Sequence, residues 1–150
     1  MSRPFPLVRL KAFDPRLHVL NRAATAEGFL FLDRLVEDWI SGGNRFDQTG
    51  ECLWGVEMGD ELVGVGGLNR DPYDPTGSMG RIRHVYVAPG HRRHGIGRVL
   101  LHALLAEAAP HYAIVRLRTY SRDAAAFYAG LGFVRVSSET ATHMRIVAAG

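Results

Sequence analysis

The stretch VYVAPGHRRHGIGRVLLHALLAEAA, Val85 to Ala109, decides how the rest of the chain is read. Alternating apolar residues up to Val87 read as a strand, Pro89 stops it, and from Gly95 to Ala109 apolar residues recur at helical spacing. Between strand and helix lie His91, Arg92, Arg93 and His94, followed by Gly95-Ile96-Gly97. The first N–H groups of a helix lack intrahelical partners and gather partial positive charge, so an anion is stabilised at such a mouth. Glycines let the backbone turn sharply and approach a ligand closely. The same Gly-x-Gly also reads as a softened loop with no ligand.

Spacing removes two nucleotide readings. A dinucleotide fingerprint needs a third glycine where this chain has Leu100, and a nucleotide P-loop needs Gly-Lys-Ser/Thr where Ile96-Gly97 follows Gly95.

Outward from this stretch, Pro6 to Phe13 alternates apolar and basic residues as a strand does, and Asp14-Pro15 reads as a helix start. Apolar residues from Leu17 to Ile40 have helical spacing, broken at Gly28. Glu51 to Arg70 reads as a hairpin turning at Met58-Gly59-Asp60, with a Pro/Gly-rich loop after it. Downstream, Ala113–Tyr120 reads as a strand, Ser121–Gly132 as a helix, and Phe133–Ser137 and Ala141–Val147 as closing strands. The order β-α-α-β-β-β-α-β-α-β-β predicts a mixed α/β (α+β) fold, parallel within the later β-α-β units and antiparallel in the hairpins.

One domain over residues 1–150 is expected from the length, and 47% hydrophobic with 22% charged residues is the balance of a chain that folds. Cys52 is the lone cysteine, which excludes an internal disulfide and favours a reducing compartment. Met1–Asp14 lacks the apolar core of a signal peptide and no segment reads as a membrane span, so the expected location is cytoplasmic. The net charge of +3 is almost all arginine, Lys11 being the only lysine. Arginine suits phosphate recognition, but beyond Arg92-Arg93 the arginines form no block, which argues against a nucleic-acid partner. The seven histidines show no metal-ligand spacing, and no metal is expected.

The Val-Tyr-Val-Ala-Pro strand, Arg92-Arg93-His94-Gly95-Ile96-Gly97 and the helix after them closely resemble the acetyl-CoA motif of the GNAT family of N-acetyltransferases. A second stretch, SRDAAAFYAGLGF from Ser121 to Phe133, is similar to that family's Asn-x-x-Ala-x-x-apolar-Tyr and Gly-Phe signature. Ala124, Phe127, Tyr128, Gly132 and Phe133 match, and Ser121 stands where asparagine is usual. The resemblance implies a GNAT-like, mostly antiparallel sheet of about seven strands flanked by about four helices. It implies acetyl-CoA as co-substrate, a small-molecule or peptide amine as acceptor, direct attack in a ternary complex, and pairing into a homodimer as in many small members. The pyrophosphate cradle would be Arg92, Arg93, His94, Gly95, Ile96, Gly97 and Arg98. The pantetheine arm would run along the main chain of Val85 and Val87, with Ser121 as a polar contact. Tyr128 would be the acid that protonates the departing thiolate, and the acceptor pocket would lie around Thr25 to Leu32 and the last two strands.

The base is the weak point of the pattern. His84 lies on the strand with a reference pKa of about 6.5, but is out of phase with Val85 and Val87 unless a bulge intervenes, and a packed histidine is the competing reading. Arg83, on the other face, is suited to orienting a substrate carboxylate. Glu57, Asp71 and Asp74 read either as attractors of a cationic amine or as solvated turn acids. The same features also describe a non-catalytic CoA-binding sensor or interaction module.

Overall fold

The structure is a computed structural model that describes residues 6–11 and 13–147. Residues 1–5 of the segment read for a signal peptide, Ala12 of the expected first strand and residues 148–150 of the expected single domain lie outside the described residues.

One sheet organises the chain. Strands β1 (Leu7–Arg9), β2 (Cys52–Met58), β3 (Glu61–Arg70), β4 (Met79–Val87), β5 (Ile114–Leu117), β6 (Val134–Arg135) and β7 (His143–Ile146) lie in the order β1-β2-β3-β4-β5-β7-β6. Helices α1 (Leu17–Ala26), α2 (Phe31–Ser41), α3 (Ile96–Ala108) and α4 (Arg122–Gly130) flank it. This is the mixed, mostly antiparallel architecture that the sequence predicts. Every neighbouring pair is antiparallel except β4 and β5, which a crossover through α3 makes parallel.

The helices form because their apolar residues return to one face. Leu17, Leu20 and Ala24 of α1, with Leu32, Leu35 and Trp39 of α2, bury against one side of the sheet. Ile96, Leu100, Leu101, Leu104 and Ala108 of α3 bury against the other. Covered on both faces, β3 is buried from Leu62 through Asn69 and reads as a continuous apolar run instead of an alternation. A Cβ on Gly64 would lie 3.0 Å from Ile96 and 3.2 Å from Leu100, so this glycine sets how closely α3 seats.

Three details differ from the sequence expectation. The first strand pairs only over Leu7–Arg9, because beyond Leu10, whose N–H still reaches Leu53 O at 2.8 Å, the chain leaves the edge for α1. Helix α1 starts at Leu17 because the Asp14 carboxylate is spent on the Arg16 N–H (2.9 Å) and guanidinium, leaving the helix no side-chain cap. The strands flanking α4 point the same way but are not neighbours. Strand β7 inserts between them, its four residues matching β5 from Leu117↔His143 to Ile114↔Ile146, while the two-residue β6 is left at the edge.

Strands β4 and β5 pair only from Met79↔Ile114 to Arg81↔Arg116. That last step sets two arginines side by side, and like charges so placed repel. Asp71 lies between them, its side chain fully buried, with Oδ2 2.8 Å from Arg116 Nε and 3.5 Å from Arg81 Nη1. Asp71 is therefore not a solvated turn acid, and Asp74 and Glu57 are engaged as well: Asp74 accepts from Thr76, Ser78 and Met79, and Glu57 pairs with Arg16 at 2.9 Å. Replacing Asp71 by Ala leaves two poorly solvated cations facing each other. Urea unfolding should show a loss of about 3–5 kcal/mol, against less than about 0.5 kcal/mol for an exposed acid such as Glu139.

Candidate functional site

Beyond Arg81 and Arg116 the two parallel strands part, and β4 remains paired only to β3. Its register there slips: Val65 faces Tyr86 and Gly67 faces Arg83, so Gly66 alone opposes His84 and Val85. His84 absorbs the extra residue at φ 60°, a β-bulge on an uncommon backbone conformation for a non-glycine residue. A bulge is present, yet it does not bring His84 into phase with Val85 and Val87: the His84 ring lies on the α1–α2 face, where it meets Phe46 edge-on at 5.9 Å. Val85 and Val87 point to the α3 face and Tyr86 to the α1–α2 face.

The main chain follows from one hydrogen bond. Ala88 N–H donates to Val63 O at 2.9 Å, so by alternation Tyr86 turns its main-chain groups to β3 and Val85 and Val87 turn theirs to the edge that β5 has left. On that edge the Val87 carbonyl takes Arg92 Nε at 2.9 Å. The edge leads, through a single 3-10 turn at Pro89–His91, to the mouth of α3. Among the described residues, no main-chain N–H from Arg92 through Arg98 finds a partner, and Val99 N–H to Gly95 O (3.0 Å) is the first bond of the helix. These donors, with the dipole of α3 behind them, form an anion-binding mouth.

The two glycines serve different ends. Gly95 adopts φ 87° with open space where a Cβ would stand, so its conformation is what requires glycine. A Cβ on Gly97 would lie 3.2 Å from the Phe127 ring, so Gly97 lets α3 and α4 approach. Arg93, His94 and Arg98 are exposed around the mouth, whereas Ile96 is buried and offers only its N–H. Arg92 is committed elsewhere. Its guanidinium grips the Glu27 carboxylate with both arms (2.8 and 2.7 Å) and lies 5.5 Å over the Tyr86 ring, whose hydroxyl donates to the same carboxylate at 2.5 Å.

Tyr128 is 8% exposed and packs between Phe127 (5.2 Å) and Phe133 (5.5 Å), in the cluster that also holds Val85 and Val87. Burial pushes its phenol above the usual value, so the hydroxyl stays protonated through the neutral range. Ser121 caps α4, its Oγ accepting from Ala124 N–H at 3.2 Å, which leaves its proton available to donate outward. His84 differs: burial first, then the charge of Arg83, lowers it to about 3, with the Phe31 main chain opposing, and its buried Nε2 has no partner. It is a neutral, packed imidazole at physiological pH.

Sequence reasoning missed Glu27 and Tyr86. Nothing local marks Glu27, which stands just past the end of α1, 65 residues from Arg92. Together with Phe29 and Phe31, which lie 6.5 and 6.1 Å from the Tyr86 ring, they place the α1–α2 junction against β4, in the segment where the resemblance expects the acceptor.

Comparison with known proteins fits this geometry. Residues 49–135 match the model of the acetyltransferase (GNAT) domain. A crystal structure of a putative acetyltransferase from Exiguobacterium sp. 255-15 superposes with a TM-score of 0.85 at 32% identity, over 96% of this chain and 94% of that one. This chain belongs to the GNAT family. N-acetylglutamate synthase from Neisseria gonorrhoeae, solved with coenzyme A and N-acetyl-glutamate, shares the fold (TM-score 0.70, 16% identity, 97% of this chain, 36% of that one). Among curated proteins, the mycothiol acetyltransferase of Clavibacter sepedonicus is 36% identical over 101 residues, 63% of this chain and 33% of its own length. The chain thus spans a third or less of the curated relatives it matches. The GNAT match covers the bulge, the α3 mouth, Ser121 and Tyr128, while Glu27 lies before it.

The Glu27 cluster yields a pH prediction. Hydrogen bonds from Arg92, then Tyr86, hold the Glu27 carboxyl below its usual range. A depressed carboxylate contributes stability that is present above its unfolded value, near ~4.3, and is lost as pH falls through the lower folded value. Glu27→Gln should therefore melt below the parent at pH 7, and the gap should close as thermal melts are repeated into acid.

Proposed function

We propose that this GNAT domain is an acetyl-CoA-dependent N-acetyltransferase that moves the acetyl group to a primary amine by direct attack in a ternary complex. The observation that carries the reading is a strand edge left open at Val85 and the Val87 N–H which leads, past the 3-10 turn, into a run of N–H groups from Arg92 through Arg98 without partners among the described residues. An extended arm ending in a pyrophosphate matches such a run, pairing along the strand and then meeting the helix N–H groups.

The chain's residues divide the work. The N–H groups of Arg93 to Arg98 hold the pyrophosphate, and the exposed Arg93, His94 and Arg98 add positive charge. Arg92 serves through its grip on Glu27 and the Val87 carbonyl, which shapes the loop. The main-chain groups of Val85 and the N–H of Val87 pair with the pantetheine arm, Ser121 donates its hydroxyl proton to it, and a main-chain N–H near Val85 polarises the thioester carbonyl. Acceptor amines have reference pKa values from about 8 to about 10.4, so the amine must shed a proton before it attacks. With His84 buried and lowered to about 3, water carries that proton away, not the imidazole. The amine lone pair adds to the carbonyl carbon, the oxyanion is held by the main-chain N–H, and the C–S bond then breaks. The Tyr128 hydroxyl donates to the departing sulfur, and the balance is an amide plus the free CoA thiol. Cys52 is 1% exposed and burial pushes its thiol up to about 12, which speaks against an acetyl-cysteine intermediate.

Titration calorimetry should give CoA binding at about 50 µM or tighter, and thiol release should rise with at least one member of an amine panel. Tyr128→Phe should lower kcat by about ten- to a hundredfold and change the KM for acetyl-CoA less than about twofold. An equal loss in both would remove Tyr128 as the donor, and CoA binding with no thiol release from any amine would favour the sensor reading.

A further inference from the structure

Below the bulge, on the α1–α2 face, lies a second concavity. The loop after α2 and the ends of β3 and β4 enclose a cleft of about 620 Å³ whose wall includes Arg83 and Asn69. Its charged side chains are matched with one exception. Arg34 pairs with Asp38 at 3.4 Å, Arg45 donates to Trp39 O at 2.9 Å, Asp47 accepts from Gln48, and Glu51 takes the main-chain N–H groups of Gln48 and Arg70. Arg83 makes no ion pair or hydrogen bond among the described residues, although it is half-buried. Burial pulls its guanidinium below the usual value while the charge of Asp38 opposes.

Two amides on the cleft wall are also unsatisfied. Asn69, 7% exposed, has a buried Oδ1 without a partner, and Asn44 has a buried Nδ2 without one. Native structures leave few such groups, because each costs roughly 1–3 kcal/mol of desolvation. A half-buried, unmatched guanidinium beside the unpartnered Asn44 Nδ2 can donate to an acid, while the Asn69 Oδ1 acceptor beside them suits an ammonium rather than a carboxylate. The guanidinium's fork of donors matches a carboxylate in a two-pronged arrangement.

Position makes the cleft relevant to the reaction. Arg83 precedes Val85 by two residues on β4, a rise of roughly 7 Å along the strand. The bulge at His84 puts Arg83 on the α1–α2 face while Val85 keeps its main chain on the open edge. We propose that this cleft holds the carboxylate of the acceptor, with Arg83 as its anchor, so that the substrate is an amine that also carries an acid. The proposal rests on the acetyltransferase reading for the identity of the ligand as acceptor, and its binding chemistry can be read without turnover.

The probes are the common amino acids and the ω-amino acids from glycine to 6-aminohexanoate, each beside its carboxamide, titrated calorimetrically into the CoA-bound protein. At least one acid should bind at millimolar concentration or tighter and exceed its carboxamide by about tenfold, as loss of a charge-assisted pair predicts. Arg83→Gln should erase that preference, and Arg83→Lys, which keeps the charge without the fork, should retain part of it. Both variants should bind CoA as the parent does, which separates loss of the anchor from misfolding. Acids and carboxamides binding alike, no acid binding at about 20 mM, or a preference that survives in Arg83→Gln would each overturn the proposal. Thiol release with the same panel then tests the enzyme reading separately. An acid that binds through Arg83 but is never acetylated upholds the cleft's chemistry and removes its role as acceptor site.

Discussion

Asp71 pins the parallel β4–β5 pair at the step where Arg81 and Arg116 stand side by side. Without a buried anion between them, those two guanidinium groups would push the strands apart at the point where pairing is meant to hold. With it, β4 and β5 stay closed up to that step and diverge beyond it. The opening between them is what turns an ordinary sheet into one with a hydrogen-bonding edge in its middle. On either side, β3 stays paired with β4 across the bulge and β7 pairs with all four residues of β5, which frames the gap.

The bulge at His84 is the second half of the same arrangement. A regular strand would turn Arg83 and Val85 to one face. The extra residue at φ 60° breaks that alternation and gives the two positions separate duties. Val85 keeps its side chain in the α3 core and its main chain on the open edge. Arg83 and His84 turn to the α1–α2 face, where the acceptor side of a GNAT domain is expected. The histidine that looked suited to base chemistry becomes, by its burial against Phe46, part of the packing that keeps the bulge in place.

The Glu27–Tyr86–Arg92 cluster joins the two sides. It ties the α1–α2 junction to the loop that leads into α3, so the anion-binding chemistry of the loop is not carried by its most prominent arginine side chain. A guanidinium held by both oxygens of a carboxylate and by a carbonyl has few donors left for a phosphate. The anion-binding capacity of the mouth rests on its main chain.

Much of this was legible in order along the chain. Local spacing determined the element sequence, the helix mouth at Gly95 and the family likeness, because turn chemistry and apolar periodicity act over a few residues. It could not tell that Gly97 is there for Phe127, that Asp71 is buried between two arginines, or that Arg92 is claimed by a carboxylate 65 residues away. Nor could it place β7 between β5 and β6, since strand order depends on which edges remain open once the others have paired. Those facts belong to groups brought together only by folding: whether a charge is matched, and which main-chain donors lack partners, is decided by neighbours in space. The sequence by itself determined a strand, loop and helix that resemble the family's acetyl-CoA motif. The tertiary structure alone decided where that strand opens and which arginine is left without a partner among the described residues, because both depend on neighbours distant in sequence.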